Sequence, residues 1–133
     1  MMDRLIVLIA LLALLAPARG WADETIVIEA SRIVPPVFAT TTGKRVEFVN
    51  RTQRLVHIEF TGDVRQREVI QIPATGPIWA IFHRPGTHPY VMHVYGPAAT
   101  TTLEGLVEVS EDEHHKWEAP SCVATVMGVC LEP

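Results

Sequence analysis

Short runs of alternating apolar and polar positions, broken by glycine, proline or a polar cluster, fill most of this chain. Val46-Glu47-Phe48-Val49 alternates at period two after a Thr42-Gly43-Lys44 turn. Leu55 to Phe60 alternates again after the polar loop Asn50-Arg51-Thr52-Gln53. Successive side chains of a strand take opposite faces, so period two marks a sheet with one face buried. Thr25 to Ala30 is β-branched, and Pro35-Pro36 then suits an edge strand or a kink rather than a central ladder. Val69 to Ile72, Ile78 to His83, Tyr90 to Tyr95 and Leu106 to Val109 complete the extended segments. No segment before residue 110 repeats its apolar positions at the 3.6-residue period of a helix. Seven to eight short strands with turn residues between them predict an all-β sandwich or barrel, and about 100 residues is the usual size of a single sandwich.

The two ends depart from this pattern. A charged start leads into the unbroken apolar run Leu5–Ala16, and small residues follow, with cleavage sites after Ala18 or Ala22. The run is shorter than the ~20 residues a bilayer-spanning helix needs. Residues 1–22 therefore read as a signal peptide, which leaves no stable membrane span after cleavage and directs the protein to the periplasm or the medium. Residues 23–110 form the predicted sandwich, and 111–133 a tail. Ser110 to Glu118 is charged and loops away, while Cys122 to Leu131 is apolar enough to dock back as a helical turn or an irregular segment. In an oxidising compartment Cys122 and Cys130 are expected to form a disulfide that clips this tail. The rival for the tail is a thiolate-imidazole metal cluster with His114, His115 and Met127, although the Cys-x7-Cys spacing matches no common structural zinc pattern.

Charge and motifs narrow the function. The chain carries 11 basic and 15 acidic side chains; losing residues 1–22 leaves 9 and 14, a net charge of −5. That balance excludes a nucleic-acid binder. Basic residues gather in the middle, as Lys44, Arg45, Arg51, Arg54, Arg65, Arg67 and Arg84, a division that would orient a charged protein partner. Catalysis has no signature: there is no nucleophile elbow around Ser31, Ser110 or Ser121, no phosphate-cradling glycine loop and no His-Glu-x-x-His. Glu59 beside His57 offers an acid–base pair that by itself carries no reaction. The chain is therefore read as a non-enzyme.

Gly43-Lys44-Arg45-Val46-Glu47-Phe48-Val49-Asn50 followed by His57, and Gly86-Thr87-His88-Pro89-Tyr90 followed by Leu103 to Val109, resemble the cupredoxins in order and spacing. These are small β-sandwich proteins that hold copper between strand ends. The resemblance covers most of residues 25–109 and implies a Greek-key β-sandwich of seven to eight strands, with a first copper histidine near His57. The family pattern has a cysteine where Met92 stands, a histidine where Tyr95 stands and an axial methionine near Leu103. A blue copper site needs a thiolate and two imidazoles, so a blue centre is excluded here. His57, Met92, His93 and His88 remain as candidate metal ligands, either as a Cu(I) site of histidine and methionine or as a two-histidine Cu(II) site of His57 and His93. His83, before the turn, reads as structural.

Strand parity sets a condition on both. In regular strands His88, Tyr90, Met92 and Val94 share one face, and Val91, His93 and Tyr95 the other. Val56, Ile58 and Phe60 make the apolar face of their strand, with His57 and Glu59 opposite. His57 is thus one residue out of phase with the core, unless a bulge shifts it. The expected function is binding or handling of copper through an atypical site, with electron transfer less favoured. The alternative is a metal-free sandwich that docks an envelope partner.

Overall fold

The computed structural model describes residues 24–64, 69–74, 76–112 and 122–133. The expected signal peptide, His114, His115, Ser121, Arg65 and Arg67 lie outside the described residues.

Strands β1 (Thr25–Ile28), β2 (Ile33–Val34), β3 (Val37–Thr41), β4 (Arg45–Asn50), β5 (Leu55–Phe60) and β6 (Val69–Ile72) are followed by β7 (Pro77–Phe82), β8 (Gly86–Tyr95), β9 (Thr100–Ser110), β10 (Ala124–Val126) and β11 (Val129–Leu131). They form a six-stranded sheet, β11-β10-β7-β4-β1-β2, and a five-stranded sheet, β3-β9-β8-β5-β6. The pairs β1–β4 and β3–β9 are parallel and the others antiparallel. No helix is present among the described residues, hence none long and apolar enough to cross a membrane.

The all-β sandwich is as the alternation predicts, with more strands than the seven or eight expected. Pro35-Pro36, where an edge strand or a kink is expected, separates β2 from β3, each at the edge of a different sheet. The tail accounts for the remainder. Instead of a helical turn or an irregular segment, Ala124–Leu131 is a β-hairpin whose first strand pairs with β7, from Ala124↔Phe82 to Val126↔Ala80. Met127 (φ 48°) and Gly128 (φ 83°) both adopt the left-handed region at its tip. Two such residues make the tight turn whose twist matches an antiparallel pair. Cys122 and Cys130 are joined in a disulfide with Cα atoms 5.3 Å apart. That bond removes the thiolates on which a metal cluster in the tail would depend.

Inward positions alternate strictly along the central strands: Val46 and Phe48, Val56, Ile58 and Phe60, and Tyr90, Met92 and Val94 are all buried. Each large side chain so placed contributes roughly 1.5–3 kcal/mol. Phe48 packs edge-on against Tyr90 and Phe60, at 5.4 and 6.3 Å between centroids. The Tyr90 ring crosses directly over its β9 partner Gly105, where any side chain would run into it. Burial pushes the Tyr90 phenol well above its ordinary pKa, which keeps it neutral.

Candidate metal centre

Asn50 sets the phase of the strand that carries His57. Its buried side chain donates from Nδ2 to the Arg54 carbonyl (2.8 Å) and accepts at Oδ1 from the Thr52 amide (2.9 Å) and hydroxyl (2.6 Å). The Thr52 hydroxyl in turn accepts from the Arg54 amide (3.0 Å). This knotted loop delivers Leu55 outward and Val56 inward.

From there β5 and β8 pair without interruption, from Leu55↔Tyr95 to Phe60↔Tyr90. No bulge shifts the phase. Val56, opposite Val94, takes the inward position at this end of the sandwich, and both are fully buried. His57 lies on the outer face, directly across from His93.

The four expected donors therefore do not converge. Met92 is fully buried between its cross-strand partners Ile58 and Leu103. It faces the core while His57 and His93 face out. His88 shares Met92's phase but lies four residues away along β8, about 14 Å at the rise of an antiparallel strand. Its ring packs on Phe82 (5.0 Å between centroids) and its Nε2–H donates to the Arg84 carbonyl (2.8 Å). Desolvation lowers the His88 pKa, opposed by that carbonyl. His83 hydrogen-bonds Thr125 at 2.7 Å and ties β7 to β10, consistent with a structural role.

The structure does set His57 and His93 directly across from each other on neighbouring strands. His57 Nδ1 lies 3.2 Å from the Tyr95 hydroxyl, with the two rings edge-on. His93 Nε2 lies 3.2 Å from Glu59 Oε2, and both side chains are mostly covered, with 27% and 19% exposed. Gln71 on β6 faces His57, and Thr102 on β9 faces His93, so a polar row crosses four strands. Glu59 reaches across the strand pair to His93. Gln71 and Thr102 were not singled out from the sequence; counting an antiparallel register outward from His57↔His93 would have reached them.

The copper position that the resemblance implies lies between strand ends at the Val56–Val94 end. The inward-facing side chains at that end are Val56 and Val94, with Met92 next inward along β8, so the inner face of β5 and β8 offers one thioether and no imidazole there. These side chains do not fit a trigonal centre of two histidines and a thiolate. No group of three His, Cys, Asp or Glu side chains is arranged to hold an ion among the described residues.

No protein-family model and no curated protein sequence matches this chain. Solved structures do. A reduced, Cu(I) form of an amicyanin point mutant at pH 4 superposes with a TM-score of 0.50 at 19% identity, over 65% of this chain and 80% of that one. A purple cupredoxin from Nitrosopumilus maritimus gives a TM-score of 0.49 at 21% identity, over 65% of this chain and 98% of that one. The fold is cupredoxin-like.

Proposed function

We propose that this domain binds copper as Cu(II) on the outer face of its five-stranded sheet, through His57 and His93, and handles the ion without catalysing a reaction. It would not be a blue copper centre. One observation carries this reading: the uninterrupted β5–β8 register sets two imidazoles directly opposite each other. Opposed Cβ atoms in such a pair lie about 4.5–5.5 Å apart, close enough for both rings to reach one ion. Imidazole suits Cu(II), whereas a thioether favours Cu(I), and here the thioether is sealed in the core. Two protein donors leave the other coordination positions to water or to an incoming ligand. Such an ion exchanges readily, which favours handling over electron transfer. The fold is one that amicyanin uses in a copper-bearing form. Residues 1–22, read as an export signal, would place the protein in the periplasm or outside the cell. There a protein partner would exchange the ion with it.

The test is a Cu(II) titration of the full chain, followed by calorimetry and electron paramagnetic resonance. His114→Ala and His115→Ala are included in every sample to silence the tail histidines. One ion per chain is expected, with His57→Ala and His93→Ala each weakening binding at least tenfold. Absence of stoichiometric uptake, or uptake indifferent to both changes, removes the reading.

The metal-free docking module is a second reading, supported by the exposed Leu55–Tyr95 pair at the end of β5 and β8. It predicts no uptake in the same titration and no copper-dependent rise in melting temperature.

A further inference from the structure

We infer that Glu59 and Tyr95 are positioning residues for the histidine pair, each fixing which imidazole nitrogen is presented to the ion. The inference rests on the copper reading above. The two strands exchange support diagonally. His57 on β5 reaches Tyr95 on β8, two positions beyond His93, and His93 reaches Glu59 on β5, two positions beyond His57. Such diagonal neighbours lie within reach of long and aromatic side chains.

The chemistry of the partners differs, and so does what each fixes. An ionised carboxylate only accepts hydrogen bonds, so Glu59 holds the proton of His93 on Nε2 and leaves the lone pair on Nδ1. Tyr95 engages Nδ1 of His57, so Nε2 is the nitrogen left to face an ion. In the ion-binding form His57 Nδ1–H donates to the phenol oxygen. The pair then presents Nδ1 of His93 and Nε2 of His57, a mixed set. Removing the hydrogen-bond partner behind a ligating imidazole typically costs 10–100-fold in metal affinity.

Two measurements on the full chain, with the tail histidines replaced as before, test this. In the metal-free protein, long-range 1H–15N spectra of the imidazoles report the tautomers directly. His93 is expected as the Nε2–H form in the native chain, with that preference lost in Glu59→Ala. Cu(II) titration is expected to show 10–100-fold weaker binding in Glu59→Gln and in Tyr95→Phe, at unchanged melting temperature. Glu59→Gln keeps the side chain's shape, so the affinity arm stands even if Glu59→Ala fails to fold. If His93 keeps its tautomer in Glu59→Ala, or both conservative variants bind within about twofold of native, the inference is overturned and the copper reading survives. If the native chain itself takes up no Cu(II), the copper reading falls and the inference falls with it.

Discussion

His88 and His93 stand on one strand five residues apart, and because five is odd they meet opposite surroundings. His93 looks outward toward a carboxylate. His88 turns toward the core, with its ring against Phe82, where desolvation disfavours the imidazolium and the Arg84 carbonyl only partly offsets it. Its folded-state pKa therefore lies below the ordinary value near 6.5. As pH falls, the unfolded chain takes up the proton first, which favours unfolding. The stability that His88 contributes is present above about pH 6.5 and is lost as pH drops through that value toward the folded-state pKa. The urea midpoint of the native protein is expected to fall more steeply between pH 7.5 and 5 than that of His88→Gln. Parallel curves would show that His88 titrates alike in both states.

At the scale of elements, the C-terminal hairpin depends on local devices. β10 and β11 have three residues each. They are held by a left-handed Met127-Gly128 tip, a disulfide and one flank of β7. Linking Cys122 to Cys130 closes a short loop, worth ~2–3 kcal/mol in the chain-entropy model. Replacing both cysteines by alanine should lower stability by about that amount. Amide exchange should quicken first in β10, β11 and His83, whose N–H donates to the Val123 carbonyl, while β8 and β9 stay protected. Even exchange across the molecule would mean that the hairpin does not open as a unit. This hairpin was also the least legible element. Three-residue strands carry too little alternation to register, and a methionine in the left-handed region gives no turn signal. By contrast, Leu55–Phe60 and Val69–Ile72 were readable to their end residues. The downstream halves of β8 and β9 were readable too, but their polar starts, Gly86-Thr87-His88-Pro89 and Thr100-Thr101-Thr102, hid their full length. The outward face of His57 followed from parity. Its pairing with His93, and the service of Glu59 to His93, depend on a register between strands more than thirty residues apart, which no local pattern encodes.

At the scale of the whole molecule, the two-layer architecture sorts donors by chemistry. Residues of one parity on β5 and β8 meet the opposing sheet, and those of the other parity meet solvent. Met92 falls in the first set, and His57 and His93 in the second. A thioether and an imidazole one position apart are thus separated by the thickness of a sheet, and no rotamer joins them at one ion. Met92→Leu is a nearly volume-conserving core change, expected to cost less than ~1.5 kcal/mol. It should leave the Cu(II) dissociation constant within about twofold of native. His57→Ala, which removes no core contact, should weaken binding at least tenfold, and the double variant should match His57→Ala alone. A site at the end of the sandwich would give the reverse pattern, because copper there would need the sulfur and ignore the outer face. Equal loss of Cu(II) in Met92→Leu and His57→Ala would require the sheet to open so that both donors share the ion, contrary to the uninterrupted β5–β8 register.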